Sequence, residues 1–351
     1  SEPATTTFKR YKWTSSNPEV ATVDEKTGLV TGISKGDATI IVTADDFSSN
    51  PVSASCEIGV KIVTPITGMT FTEDAELNQL GYGQEYQVKY TLEPVDATAS
   101  LLTWTSDNPE VISVDKTGKL KVHTTKAASA VITASYGPVV QNVTVTVADG
   151  RFWYSLGNGL GNGLDNNWYL DGNNASVVSS DGNKTTVQMG GPDSKVKYRG
   201  DLWLARSGKG KVVNITPAEY RYLAVKIGFK SQLHVGNNSQ GCIKLEVFDD
   251  GIKKIGPEYW GTAGDANNRY AILGTSEISI TKPNVLYYDL QARYKTVTPT
   301  DWNQVFDLSQ CKFVIADFPE TAQTYDLYWI RSFKSIEELQ AFVDSENNTN
   351  E

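Results

Sequence analysis

The sequence predicts an all-β fold in which two small tandem β-sandwiches precede a larger one. The first observation is an internal repeat, because residues 12–20 (KWTSSNPEV) return as residues 103–111 (TWTSDNPEV). The second is a succession of short apolar runs separated by turn residues, with little of the three-and-four spacing that buries a helix face. The third is a change of composition near residue 150, beyond which the repeat stops and six of the eight tryptophans occur.

Each copy of the repeat carries the landmarks of a small sandwich. An Asn-Pro-Glu step precedes a Val-x-x-Val strand, and a Lys-Thr-Gly turn places Gly28 and Gly118 where a hairpin needs a positive φ. Trp13 and Trp104 fall on the strand before the Asn-Pro-Glu turn. We expect both rings to pack in the core, since a side chain of that size dominates a small sandwich.

The two copies differ in length on their N-terminal side. The stretch from Ile66 to Thr103 precedes Trp104 and supplies two further strand-like runs, whereas twelve residues precede Trp13. A sandwich with open edges would leave unpaired strand and core surface. We therefore expect the first module to be N-terminally incomplete, so that either the natural chain begins earlier or another chain covers the open side.

The block after Phe152 predicts a larger jelly-roll sandwich, because its strand candidates are separated by long Asn/Gly-rich loops. The predicted strands are 176–180, 185–189, 195–198, 222–229, 242–248, 270–273, 277–280, 286–290, 312–316 and 327–333. A capping box at Ser335–Glu338, followed by Leu339 and Val343, predicts a short C-terminal helix. The predicted boundaries are 1–64 and 65–148 for the small modules, 149–345 for the jelly roll and 346–351 for a frayed polar tail.

The repeated pattern of Trp-Thr-Ser-x-Asn-Pro-Glu-Val, Val-Asp, Lys-Thr-Gly and a late Ala-x-Ile strand resembles the bacterial Ig-like domain of group 2. The last strand, Tyr325–Phe333, looks like the closing strand of carbohydrate-binding jelly rolls. With both the Ig-like motif and this closing strand, the whole chain is similar to the surface glycan-binding lipoproteins of Bacteroidetes. The resemblance implies Ig-like spacers that hold a sugar-binding domain above the outer membrane, a lipidated N-terminal segment absent from this sequence, and an outer-membrane glycan transporter complex as partner.

Composition argues against several other functions. The net charge of -9 and the absence of Lys/Arg-rich runs disfavour nucleic-acid binding. The two histidines, His123 and His234, fall in different predicted domains, which disfavours a Ser-His-Asp triad and a histidine-based zinc site. We expect no catalysis and no cofactor. Cys242 and Cys311 lie in apolar runs and are expected to be buried free thiols.

Sugar recognition combines aromatic rings, which cover the C–H face of a pyranose, with amides, acids and arginines, which bind its hydroxyls. The candidate residues are Trp260, Tyr259, Asn267, Asn268 and Arg269 in one polar stretch, Trp302, Asp301 and Gln304 in another, and Trp203 on a predicted strand. The alternatives are a loop anchor for Trp260, packing under the Val305–Phe306 run for Trp302, and a core-facing ring for Trp203.

The predicted ligand is a plant polysaccharide, with xylan favoured and β-glucan next. A structural adhesin that binds a protein partner is the alternative, and a glycoside hydrolase is a more distant one. Oxygen-rich turns at Asp165 and Asp171 are weak calcium candidates. Their spacing does not match an EF-hand, and solvated turns are the other interpretation.

Overall fold

The computed structural model describes residues 10–45, 50–163, 167–171, 174–192, 198–206, 213–230, 242–249, 253–254, 270–275, 277–291, 302–316 and 323–348. The chain divides into two compact units. The first unit comprises residues 1–68 and 92–101, and the second comprises residues 69–91 and 102–351. The second small module therefore falls largely in the same unit as the C-terminal sandwich.

The first unit contains the first copy of the repeat as a small all-β module. Its strands are β1 (Tyr11–Ser15), β2 (Ala21–Val23), β3 (Val30–Gly32), β4 (Gly36–Ala44) and β5 (Ser53–Val60). The sheets are β1-β4-β5 and β2-β3. Val20, Ala21 and Ala38 form a small core against Ile58. Trp13 lies opposite Val42 on β4 and is only half-buried.

The second module repeats this arrangement with additional strands. Its strands are β6 (Gly68–Phe71), β7 (Leu80–Tyr82), β8 (Glu85–Gln87), β9 (Tyr90–Glu93), β10 (Thr103–Ser106), β11 (Ile112–Val114), β12 (Lys119–Val122), β13 (Ala128–Tyr136) and β14 (Val139–Ser155), with 3₁₀ helices at Ala75–Asn78 and Ala99–Leu101. The sheets include β10-β13-β14, β11-β12-β8 and β6-β9. Trp104 is buried, stacks on Phe71 at 5.8 Å and contacts the tilted ring of Tyr90 at 5.5 Å, so the core position predicted for this ring is confirmed.

The Lys-Thr-Gly turns of the two copies share a Thr-to-Asp hydrogen bond and a positive-φ glycine, although the first turn is one residue longer. The Thr27 amide donates to Asp24 Oδ1 at 2.7 Å, and the Thr117 amide donates to Asp115 Oδ1 at 2.7 Å. Gly28 has φ +74° and Gly118 has φ +84°, as the turn pattern predicted. In each copy the glycine lies directly against the repeat's tryptophan.

We expect Gly118→Ala to lower the free energy of unfolding by roughly 2–3 kcal/mol. A left-handed φ costs a residue with a Cβ about 1–2 kcal/mol, and the new carbon would lie 2.6 Å from Trp104 Cζ2. Gly137→Ala is the matched control, because Gly137 has φ +54° but nothing within 4 Å of the added carbon. Urea unfolding measures both variants, and equal losses would contradict the role given to the tryptophan contact.

The C-terminal sandwich consists of two sheets with the core between them. Its elements are β15 (Tyr169–Leu170), β16 (Ser176–Ser180), β17 (Thr185–Gln188), β18 (Leu202–Ala205), β19 (Val213–Ile215), β20 (Tyr222–Phe229), β21 (Cys242–Asp249), β22 (Lys253–Lys254), β23 (Ala271–Ile272), β24 (Asn284–Asp289), β25 (Phe306–Ala316), β26 (Thr324–Phe333) and α1 (Ile336–Asn348). The front sheet is β15-β18-β25-β21-β22, with β19 paired to β25. The back sheet is β14-β26-β20-β24-β23, with β17 paired to β26 and β16 to β17. The prediction of an all-β protein with a short C-terminal helix is confirmed.

Helix α1 packs on the outer face of the back sheet. Its Phe342 contacts Trp153, Trp329 and Phe333, with ring centroids 5.4 to 5.6 Å apart. The helix begins after Ser335, whose Oγ accepts from the Glu338 amide at 3.2 Å, as the capping-box pattern predicted. These contacts occupy two of the six tryptophans of the C-terminal block.

Two predictions about elements were wrong. The tail predicted to fray from Glu346 is helical to Asn348, because Glu346 Oε2 accepts from Trp329 Nε1 at 3.0 Å and pairs with Lys226 at 3.1 Å. The strand predicted at 277–280 is absent. Its Ser279 amide and carbonyl are both bonded to the Asn284 side chain, which folds the segment into a turn.

The second module and the C-terminal sandwich share β14, a single 17-residue strand. It pairs with β13 in the module and with β26 in the sandwich. Arg151 on this strand is buried and donates to Glu76 Oε1 at 2.8 Å and to the Gln79 carbonyl. The backbone amide of Asn214 donates to Thr125 Oγ1 at 3.1 Å across the same junction. The junction is thus held by a shared strand and by buried hydrogen bonds.

Candidate functional site

Four side chains form a row across the outer face of the front sheet. In strand register, Tyr169 lies opposite Trp203, Trp203 opposite Lys312, and Lys312 opposite Glu246. Side chains alternate between the faces of a strand, and the sequence neighbours of these four residues pack in the core between the sheets. Those neighbours are Trp168, Leu202, Leu204, Leu245, Val247, Cys311 and Phe313. We refer to Tyr169, Trp203, Lys312 and Glu246 as the outer row. Within it Tyr169 and Glu246 are buried, whereas Trp203 and Lys312 are partly exposed.

Trp203 is the aromatic centre of the outer row. Its ring is half-buried, with Lys312 Nζ 4.5 Å and Arg206 Cζ 5.0 Å from the ring centroid. Cations at these distances are attracted by the negative face of an indole. The indole Nε1 is buried and has no hydrogen-bond partner within the described part of the chain. The ring is therefore held in place by its neighbours and keeps part of its surface exposed.

The cations next to Trp203 are paired with acidic side chains. Lys312 Nζ lies 2.9 Å from Glu246 Oε2, and Gln310 Nε2 donates to the same oxygen at 3.4 Å. Arg206 forms an ion pair with Asp171 at the rim of the sheet. Each cation is thus fixed by a carboxylate, so the polar groups around the ring have defined positions.

A second buried carboxylate lies beside this row. Asp201 forms an ion pair with Arg199 and accepts from the Ile315 amide at 3.2 Å. Burial raises the pKa of the Asp201 carboxyl above its ordinary value, against the opposing effects of Arg199 and Lys312. Burial likewise raises the pKa of the Tyr169 phenol. The outer face thus holds charged groups in a partly water-excluded setting, where their hydrogen bonds are strong.

The structure places the predicted site residues in different settings. Trp203 lies in the outer row, and Asp171 pairs with Arg206 beside it. Trp302 lies in the turn before β25, where it packs on Phe306 at 5.9 Å and against the sandwich core, and Gln304 is exposed in the same turn. The predicted residues Tyr259, Trp260, Asn267, Asn268, Arg269, Asp301 and Asp165 lie outside the described residues.

Sequence reasoning missed most of the outer row, although one signal was present. Glu246 and Lys312 are charged residues that each lie between two apolar residues of a strand. Such a residue must either face solvent or find a partner. The alternation marked the outer face of each strand, but only the register of β21 with β25 shows that the two charges meet.

The described residues contain neither a membrane-spanning helix nor a metal-binding cluster of side chains. No described helix has the length and apolar character needed to span a membrane. Within the described ranges, no three side chains of His, Cys, Asp or Glu are grouped so that they could hold a metal ion. Asp171, one of the two weak calcium candidates, forms an ion pair with Arg206.

Comparison with known proteins divides the chain at the same place as the repeat. Residues 1–53 and 65–147 match the bacterial Ig-like domain (group 2), as the repeated motif predicted. An uncharacterized protein of Clostridium acetobutylicum is 29% identical over 133 residues, which is 38% of this chain and 13% of that protein. The match therefore spans a small part of the length of that relative.

Several solved structures are distantly similar. SGBP-B from a complex xyloglucan utilization locus in Bacteroides uniformis is 11% identical, with a TM-score of 0.29, over 93% of this chain and 92% of that one. A carbohydrate-binding module of the β-sandwich superfamily gives the same identity and TM-score over 93% of this chain and 98% of its own. Domains 4–9 of the surface layer protein SbsC are 14% identical, with a TM-score of 0.20, over 86% of this chain and 38% of that one.

The C-terminal sandwich, which carries the outer row, gives the family. Residues 159–339, just over half of the chain, match the profile described as Domain of unknown function (DUF4979). The chain therefore belongs to the DUF4979 family, with two group 2 bacterial Ig-like domains N-terminal to the family domain.

Proposed function

We propose that the chain is a non-catalytic glycan-binding protein that holds sugar against the outer row, with the Ig-like modules as spacers. The observation that carries this proposal is the position of Trp203. Its ring is partly exposed on the face opposite the core, between Tyr169 on one side and the Lys312–Glu246 pair on the other. An aromatic surface flanked by fixed polar groups is the combination that a sugar ring requires.

The physical chemistry of the row supports a sugar ligand. The indole face complements the apolar C–H face of a pyranose, while the carboxylate of Asp171, the amide of Gln310 and the guanidinium of Arg206, all partly exposed, can bind hydroxyl groups. A carboxylate oxygen accepts more than one hydrogen bond, so the partly exposed Asp171 can bind a hydroxyl group beside its ion pair with Arg206. The row stands on strands, which keeps the ordering cost of binding low.

The carboxylates on this face support binding rather than glycoside hydrolysis. Hydrolysis uses two carboxyl groups that flank the scissile bond, one as acid and one as base or nucleophile. Glu246 is held by Lys312 and Gln310, and Asp201 is held by Arg199 and a backbone amide. Both groups therefore serve to position neighbouring side chains, and we assign neither a catalytic role.

We further propose an extended β-linked plant polymer as ligand, with xylan favoured and β-glucan next. A row that crosses four strands suits a linear chain better than a branched compact one. Trp260, Trp302 and the polar residues near them remain predicted contributors to the same surface. Following the resemblance of the sequence to surface glycan-binding lipoproteins, we also propose a lipid-anchored position at the outer membrane beside a glycan transporter complex.

Affinity electrophoresis of the whole chain in xylan and β-glucan gels tests the proposal. Trp203→Ala should weaken the polysaccharide affinity derived from the retardation at least tenfold, equivalent to about 1.4 kcal/mol of binding free energy, because the stacking surface is lost. Trp203→Phe should retain part of the binding. Tyr11→Ala is the control, because Tyr11 is an exposed aromatic in the first module.

Thermal unfolding of each variant shows whether the fold is preserved. A wild-type chain that is not retarded by any plant polysaccharide would overturn the proposal. A protein partner that stays bound in the presence of excess glycan would favour the adhesin alternative.

A further inference from the structure

A polar cavity lies where the second Ig-like module meets the C-terminal sandwich. This junction pocket has a volume of about 170 Å³. The module contributes Glu85 and Lys121 to its lining, and the sandwich contributes Tyr154, Ser155, Asn158 and Asn167. All of these residues belong to the second compact unit.

The walls of the junction pocket are fixed relative to each other. Tyr154 is buried on the shared strand β14 and packs on Tyr82 of the module at 5.5 Å and on Trp168 of the sandwich at 6.1 Å. Gly83 has φ +81° and lies so close to the Tyr154 ring that an added Cβ would overlap it. The pocket is therefore preorganised, which lowers the cost of binding a ligand in it.

The lining chemistry suits a neutral hydroxylated ligand. Lys121 and Glu85 lie directly opposite each other on β12 and β8, and the Glu85 carboxylate forms an ion pair with Lys119. Asn158 and Asn167 supply amides on the sandwich wall, although the Asn167 Oδ1 accepts from the Trp168 backbone amide at 2.8 Å. Ser155 supplies a hydroxyl that accepts from Arg331 at 3.1 Å. The lining thus combines hydrogen-bond donors and acceptors around a small space, which suits the hydroxyls of a sugar ring.

The junction pocket is close to the outer row along the chain. Asn167 lines the pocket, Trp168 is buried in the core, and Tyr169 opens the outer row. Two residues of extended chain span at most about 7 Å. The pocket and the Tyr169 end of the outer row are therefore neighbours.

We infer that the junction pocket is a further subsite for a neutral sugar unit at one end of the bound glycan, and that the second Ig-like module supplies two of its side chains. The inference rests on the proposed function of the outer row. It gives the second module a part in ligand binding in addition to its role as a spacer.

Titration calorimetry of the full chain with a length series of xylan or β-glucan oligosaccharides tests the subsite. Lys121→Ala and Asn158→Ala should each weaken binding of the long oligosaccharides roughly fivefold, the effect of one lost hydrogen bond, and leave the shortest ligands unchanged. Lys116→Ala is the matched control, because Lys116 is an exposed lysine of the same module outside the pocket. It should bind ligands of every length as the wild type does.

The outcomes separate this inference from the proposed function. If both pocket variants bind long oligosaccharides as the wild type does, while Trp203→Ala does not, the inference is wrong and the outer row stands. A wild-type chain that binds no glycan overturns both. Loss of affinity that is equal for short and long ligands in the pocket variants also contradicts a terminal subsite.

Discussion

Replacing Trp168 by alanine should lower the free energy of unfolding of the second unit by roughly 3–5 kcal/mol. The side chain is fully buried and packs between Tyr154 at 6.1 Å and Phe313 at 5.3 Å. No smaller residue can fill that space, since both neighbours are fixed on long strands. Urea unfolding followed by circular dichroism measures the loss.

Trp302→Ala provides the comparison for Trp168→Ala. Trp302 is only partly buried and touches the core from a turn, so its removal should cost roughly 1–2 kcal/mol by lost burial. Trp168→Ala should also weaken glycan binding, because Trp168 connects Asn167 in the junction pocket to Tyr169 in the outer row. An equal loss of stability in the two variants would contradict the assignment of Trp168 as the central core tryptophan.

Arg151→Ala should destabilise the second unit by roughly 3 kcal/mol. The Arg151 guanidinium is nearly inaccessible, bonds to Glu76 and the Gln79 carbonyl, and lies 4.4 Å over the Trp153 ring. Removing one partner of a buried pair leaves the other partner and a backbone carbonyl poorly satisfied, which costs more than the pair itself contributes. Because these bonds cross the junction, the module and the sandwich should unfold less cooperatively in the variant.

Lys126→Ala is the matched control at the same junction. Lys126 pairs with Asp307 at 3.4 Å, and both side chains are more than half exposed. Exposed ion pairs contribute about 0–1 kcal/mol, so this variant should be close to the wild type in urea. If the two variants lose similar stability, the buried bonds of Arg151 are not what holds the junction together.

Much of the fold could be predicted from local sequence. The repeat located both Ig-like modules, and the Lys-Thr-Gly turns formed with the predicted positive φ at Gly28 and Gly118. These features depend on residues close together in the chain, where turn chemistry and alternation act directly. The errors arose where distant residues decide: the 277–280 segment is bent by Asn284, and the tail is held by contacts with β20 and β26.

The candidate site could be predicted only in part. Trp203 was a candidate from the sequence, although whether its ring faced the core or the solvent was open. Its partners Tyr169, Lys312 and Glu246 come from three other strands, the farthest more than a hundred residues away along the chain. Strand register brings them together, and register is not visible in any one strand.

The sequence by itself determined the all-β class, the two repeated modules and the concentration of tryptophans in the C-terminal block, because these follow from local periodicity and composition. Only the tertiary structure decided which tryptophans remain available to a ligand. Burial under α1 removes Trp329, and burial between the sheets removes Trp168, whereas Trp153, Trp203 and Trp302 each keep part of their surface exposed. The physical reason is that exposure depends on which distant elements pack against a side chain, and the residue's own sequence neighbours do not specify those elements.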